Sequence, residues 1–273
     1  NCAFGETMHQ NVLYGTQLLA ANGFSDIDKD EFLKQALYDL VLHEIGHTFG
    51  LMHNFIASNL HTNDEMQDPV LGATVGLTAS VMDYTIPNIS PDKNKQGLFF
   101  DVKPGLYDKW AIQYGYTNIA NEDEENTALK KILSESDKRA YRFRNDADDM
   151  RSTGKGIDPR GNLFDMSSDA VAYAVSSIKM VNDAMPKLLT KYSTTGNSYH
   201  ELRKAYLSLS GHYARSLNVI SRYIGGVYVN RNFVGQDAKE KPFTPIPLSE
   251  QKNAMQAITK YAFSKNAFTA PTE

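Results

Sequence analysis

Cysteine is nearly absent. Cys2 is the only one in 273 residues, so no intrachain disulfide can form and packing alone must hold the fold. A chain of this length buries about three quarters of its unfolded surface and needs no covalent staple. Long apolar runs are missing as well; none reaches the roughly 18 residues that suggest a membrane span. A positive surplus is also lacking. There are 28 Lys and Arg against 32 Asp and Glu, a net charge of −4, which argues against nucleic acid or an anionic membrane surface as partner. No internal repeat is visible, and no charged-then-apolar leader follows Asn1. The chain therefore reads as part of a longer polypeptide, with the upstream segment as an expected partner.

Strand signals are few. Residues 225–234 (GGVYVNRNFV) are the one convincing strand or hairpin candidate, and residues 240–248, with three prolines, read as a linker. What remains is mainly helical. Helices are expected over 6–22, ended by Gly23, and over 28–50, capped by Asp26 or Asp28 and ended by Gly50. In the second, Phe32, Leu33, Ala36, Leu37, Leu40 and Val41 form one broad apolar face. Residues 54–106 read as a long ordered loop, which in a compact domain is usually functional. A short helix follows over 107–114 and a solvated one over 122–140. After a loop at 144–166, Ser167 or Ser168 caps a helix that Pro186 kinks or ends. Ser198 and Glu201 form a capping box for a helix to about Tyr223. Ser249 caps the last helix, through about Phe263. A boundary near 116–121 divides the chain into 1–118, rich in chemistry, and a helical part, 119–273.

The chemistry sits in residues 43–54, HEIGHTFGLMHN. His43 and His47 are four apart, so on a helix both imidazoles project from one face a turn apart. Two ring nitrogens so placed can bind one Zn²⁺ at about 2.0–2.1 Å. Gly50 lets the chain leave the helix with positive φ, and the turn returns His53 as a third ligand. Three protein ligands leave a fourth place for water, the arrangement of a catalytic zinc site. Glu44, beside His43, is placed to take a proton from water that zinc has acidified toward a pKa of about 7, and to pass it to the leaving amine. A chance HExxH is expected in roughly one chain in a hundred of this composition, and far fewer add the glycine and third histidine. A core helix with surface histidines explains the pattern poorly. A structural zinc site would need a closing fourth ligand, for which Cys2 is the only cysteine. Further on, SVMDY places Met82 29 residues after His53.

With HEIGHTFGLMHNF and SVMDYTIPNIS in hand, the sequence resembles a bacterial zinc-dependent metalloprotease of the metzincin class, with a long helical C-terminal extension. YDKWAIQYGY, YRFRNDADD, DPRGNLFDMSSDAVAYA, IGGVYVNR and PFTPIPLSEQKNAMQAI extend the resemblance along most of the chain. It implies that Met82 forms an apolar floor under the three histidines and that Tyr84 approaches the metal or the developing oxyanion. Asn54, after the third histidine, is neither the Glu of astacins nor the Asp of adamalysins. The resemblance also implies a peptide or protein substrate held by β-augmentation on a sheet ahead of the zinc helix. Here two helices precede His43, so that sheet is expected upstream of Asn1, with residues 1–4 as its last remnant. A secreted or periplasmic location is implied in the same way. Two rival readings remain: a catalytically silent module that binds metal and docks a partner, and a zinc hydrolase acting on a non-peptide amide. The intact Glu44 favours an enzyme.

Weaker patterns carry bland readings. Asp26, Asp28 and Asp30 imitate a calcium loop but lack its glycine and closing glutamate. Asp146, Asp148, Asp149 and Asp158 read as solvated loop acids. His9, His61, His200 and His212 have no ligand spacing, and Trp110, Tyr114 and Tyr116 read as core packing. Nothing in the sequence assigns Arg160 or Asp165 a place in the cleft.

Overall fold

A computed structural model describes residues 3–119, 121–148, 156–196, 198–234, 236, 240–265, 267 and 268; Asn1, Cys2 and Asp149, which figure in the sequence reading, lie outside them. Two helices precede the third histidine, as expected. The first, α1 (Phe4–Ala21), starts at Phe4, so this residue of the supposed sheet remnant is helical. The second, α2 (Asp26–Thr48), is capped by Ser25. The Ser25 hydroxyl accepts from the Asp28 amide at 3.2 Å, and the Asp28 carboxylate accepts from the Ser25 amide at 2.8 Å. Asp28 is thus the returning half of a capping box, and the cap lies one residue before the earliest position expected.

The broad apolar face expected on this helix is split. Phe32 and Ala36 are buried, whereas Leu33, Leu37 and Val41 are exposed. The buried side instead takes in polar Gln35 and Asp39. Gln35 is admitted because it is satisfied: its Oε1 accepts from the Phe99 amide at 2.7 Å and its Nε2 donates to Glu31 at 3.0 Å.

Between the third histidine and residue 105 the chain holds only short elements, among them α3 (Pro69–Thr74), and its backbone is pinned by buried side chains. Then come α4 (Leu106–Tyr116), α5 (Glu122–Leu133), α6 (Ala170–Ala184), α7 (Lys187–Tyr192), α8 (Tyr199–Ser221), β1 (Val227–Val229), β2 (Phe243–Pro245) and α9 (Leu248–Tyr261). Several caps differ from expectation. Asp169 caps α6, accepting from the Ala172 amide at 3.0 Å. Pro247 occupies the cap of α9. Ser198 does cap α8, but Glu201 turns to Lys204 at 3.3 Å. The proline-rich stretch read as a linker supplies β2, which pairs antiparallel with β1, Tyr228 opposite Thr244. Proline is tolerated there because a two-stranded ribbon has only edges.

Helix α8 is the hub, packing on α1, α6, α7 and α9. One apolar cluster runs from Leu18 and Leu19 through Ile178 and Val181 to Leu209, Ile220 and Ala254. Burying side chains of this size is worth about 1.5–3 kcal/mol each. Tyr114 and Tyr116, read as core, are instead exposed. Trp110 is half-buried, donating to the Ile132 carbonyl at 3.0 Å and stacking on Tyr141.

Candidate metal centre

His43 and His47 lie in the last turns of α2, one turn apart. The helix ends at Thr48, two residues short of the Gly50 stop expected, and Gly50 in the turn that follows has a φ of +83°, left-handed backbone that L side chains rarely adopt. The reversal is closed by the Leu51 amide on the Gly46 carbonyl at 3.0 Å, and it brings His53 back. Ligand atoms of His43, His47 and His53 all lie within 4.8 Å of one another. Among the described residues no other cluster of three or more His, Cys, Asp or Glu is arranged to hold a metal ion.

The orientation of the three rings is set by what each Nδ1 meets. His43 Nδ1 bonds the Val81 carbonyl at 2.7 Å and His47 Nδ1 the Leu51 carbonyl at 2.9 Å. His53 Nδ1 bonds Asp146 Oδ2 at 2.8 Å. Carbonyls and carboxylates only accept, so in the neutral form of each ring Nδ1 carries the proton and Nε2 the lone pair. Nε2 of both His47 and His53 is buried without a partner in the protein. Two orphaned lone pairs beside a third imidazole suit a cation that prefers nitrogen, and the donor set fits zinc. Burial lowers the pKa of His43 to about 3, which keeps its ring neutral and able to ligate.

Met82 lies fully buried against the histidine helix. A Cβ added at Gly46 would stand 2.3 Å from Met82 Sδ, so the glycine between the first two histidines makes room for the methionine. Asp108 fastens the turn, accepting from the Val81 amide at 3.0 Å and the Gly105 amide at 2.8 Å, and it also takes the Ser80 hydroxyl. Asp83 accepts from the Ser58 amide at 2.8 Å, and Ser58 Oγ donates to Asp165 at 2.9 Å. Burial raises the pKa of Asp83 to about 7 and that of Asp101 to about 6. Asp165 thus lies beneath the turn, away from the surface.

Tyr84 is buried, its ring centroid 4.8 Å from that of His53 and 5.5 Å from that of His43. Its hydroxyl accepts from the Ala3 amide at 3.0 Å, and Phe4 stacks on His43 at 4.0 Å. Glu44, next to His43 in the chain, is exposed.

Four contributors escape the sequence reading. Gly46 was visible inside the motif as a helical glycine without an assigned purpose. Asn54, considered only as a subfamily marker, is fully buried. It ties its own amide to the Met82 carbonyl at 2.9 Å and its side chain to the Arg142 carbonyl and Arg144 amide, both at 3.0 Å. Asp146, read as a solvated acid, bonds His53 across 93 positions, and Asp108 likewise acts at a distance; no local pattern marks either. Conversely, His61 is a satisfied core histidine, 3.1 Å from the Gly76 carbonyl.

The sequence pattern of the Met-zincin family matches residues 25–273. No curated protein and no solved structure matches the chain.

Proposed function

Since the chain belongs to the Met-zincin family, we propose that it is a zinc endopeptidase whose metal is held by His43, His47 and His53 through their Nε2 atoms. The observation that carries this reading is the pair of buried, unpartnered Nε2 atoms beside a third imidazole. Zinc bound there would supply Lewis acidity, acidifying water and polarising a peptide carbonyl. Glu44 takes the proton from the attacking water and delivers it to the departing amine. The Tyr84 hydroxyl donates a hydrogen bond to the carbonyl oxygen as charge develops there. Met82 keeps the floor of the centre apolar. The substrate is an extended peptide or protein, and the enzyme is bacterial and works in the periplasm or outside the cell, as the resemblance implies.

This reading includes an upstream segment of the same polypeptide lying on α2. In support, Leu37, Val41, Ile45 and Phe49 are 44–63% exposed along the helix side adjoining Glu44. A contiguous apolar stripe of this kind is seldom left to water.

The test is metal analysis together with Glu44→Gln. Purified protein should carry close to one zinc per chain, and casein digestion should stop with a chelator. The variant should keep its zinc and lose at least about 10²-fold in kcat, the scale of a general base. Near-wild-type turnover in the variant would overturn the assignment of Glu44. Loss of zinc without loss of proteolysis would overturn the metal reading.

A further inference from the structure

A second concentration of unassigned chemistry lies behind the segment that carries Asp146. A polar cavity of about 340 Å³ opens there, and Arg139, Arg142 and Arg160 converge on it with Ser168, Tyr228 and Glu240. Three side chains of like charge line one small space, Arg160 buried, Arg142 half-buried and Arg139 exposed.

The three are not equally provided for. Arg160, nine-tenths buried, is locked by two bonds to Asp158, at 3.0 and 2.7 Å, and lies over the Tyr228 ring at 4.4 Å. It forms a fixed positive wall. Arg142 meets Glu240 at 2.8 Å, and that carboxylate is half exposed. Arg139 donates through Nε and Nη2 to one neutral acceptor, the Asn59 carbonyl. Among the described residues no carboxylate comes within ion-pair distance of it. Its side chain is exposed, and its pKa is lowered, first by partial burial and then by the charge of Arg142, with the charges of Glu65 and Glu240 opposing.

We infer that this cavity binds a small oxyanion, a carboxylate or a phosphate group, between Arg139 and Arg142. Guanidinium forks match the spacing of two oxygens in either group, and such charge-assisted bonds are about twice as strong as neutral ones. Glu240 already seats a carboxylate on Arg142 and so displays the chemistry the cavity accepts. Of the three, Arg139 alone lacks an acid within ion-pair distance among the described residues, which suits a singly charged group; a second charge is accommodated if Glu240 swings out. The cavity is linked to the histidine centre through Asn54, which bonds the Arg142 carbonyl and the Arg144 amide. The inference does not depend on zinc.

The test uses the full chain stripped of metal with phenanthroline, a neutral chelator that cannot compete as an anion and leaves no metal to capture phosphate. Inorganic phosphate and acetate are titrated separately at constant ionic strength in chloride, and heat of binding is followed. Saturable binding of at least one is expected, and the stronger of the two identifies the group. Glu240→Gln removes a repelling charge from an exposed side chain and should tighten phosphate binding about 10-fold. Arg139→Gln should weaken it at least about 10-fold, the scale of one charge-assisted bond. No saturable heat beyond that of chloride overturns the proposal, and so does a Glu240→Gln protein that binds no more tightly. Should Arg139→Gln fail to fold, the sign of the Glu240→Gln effect decides alone.

Discussion

His53 reaches the centre on a turn, and a turn fixes a ring less firmly than a helix does. Its orientation therefore depends on the Asp146 carboxylate at Nδ1. Partners of this kind are worth about 10–100-fold in metal affinity. Asp146→Ala should lose zinc affinity on that scale in competition with a chromophoric chelator, with helical circular dichroism unchanged, and Asp146→Asn, which can still accept through Oδ1, should recover part of it. Undiminished affinity in the alanine variant would assign the orientation of His53 to its backbone. His47 and His43 lean on backbone carbonyls, which no side-chain substitution removes, so of the three rings His53 is the one open to this test.

Two pairs of elements meet through single residues. At α2 and the methionine turn, Gly46→Ala puts a methyl group 2.3 Å from Met82 Sδ. Alanine raises helix propensity by about 1 kcal/mol, whereas overpacking costs about 1–3 kcal/mol. A net loss of unfolding free energy in denaturant is expected, with weaker zinc binding; a gain would mean that Met82 moves aside freely. Between α1 and α8, Tyr14 stacks on His212 at 3.5 Å. Burial, followed by the charge of Arg215, lowers the His212 pKa from 6.5 to about 3. The unfolded chain then binds a proton below pH 6.5 that the folded chain refuses. The contribution of the neutral ring is complete above that value and is lost as pH falls toward 3, at about 1.4 kcal/mol per unit. His212→Phe keeps the stack and removes the titration. Its stability relative to wild type should therefore rise by about 2 kcal/mol between pH 7 and 5. Parallel declines in the two proteins would show that His212 is protonated without penalty.

Across the whole molecule, the core is continuous from α1 through α8 to α9, while the outer side of α2 presents apolar residues to solvent. If an upstream segment covers that side and holds an extended peptide, positioning alone supplies several kcal/mol of the barrier. A longer form carrying that segment should exceed the 273-residue chain in kcat/KM on an unstructured peptide by at least about 10²-fold. The shorter chain should bind zinc equally well and self-associate at high concentration. Equal kcat/KM in the two forms would assign the peptide platform to the 273 residues themselves.

What could be read from the sequence was local. The four-residue step from His43 to His47, the glycine at 50 and the return of His53 follow from helix pitch and from the freedom of one residue, so the histidine cluster was legible before any coordinates. The same holds for most helices, whose periodicity and stops lie within a few residues of each other. The tertiary structure decided whatever depends on partners distant in the chain. It placed Asp146 on His53, Asp108 under the methionine turn, and Asn54 between that turn and Arg142. It also decided which half of an apolar helix is buried, because Gln35 found amides to bond and could go inside while Leu37 stayed out. It paired a proline-rich stretch into a strand because β1 offered a free edge. In each case the energy comes from satisfying a buried polar group or an unpaired backbone, and the group that does so is supplied by the fold rather than by neighbouring sequence.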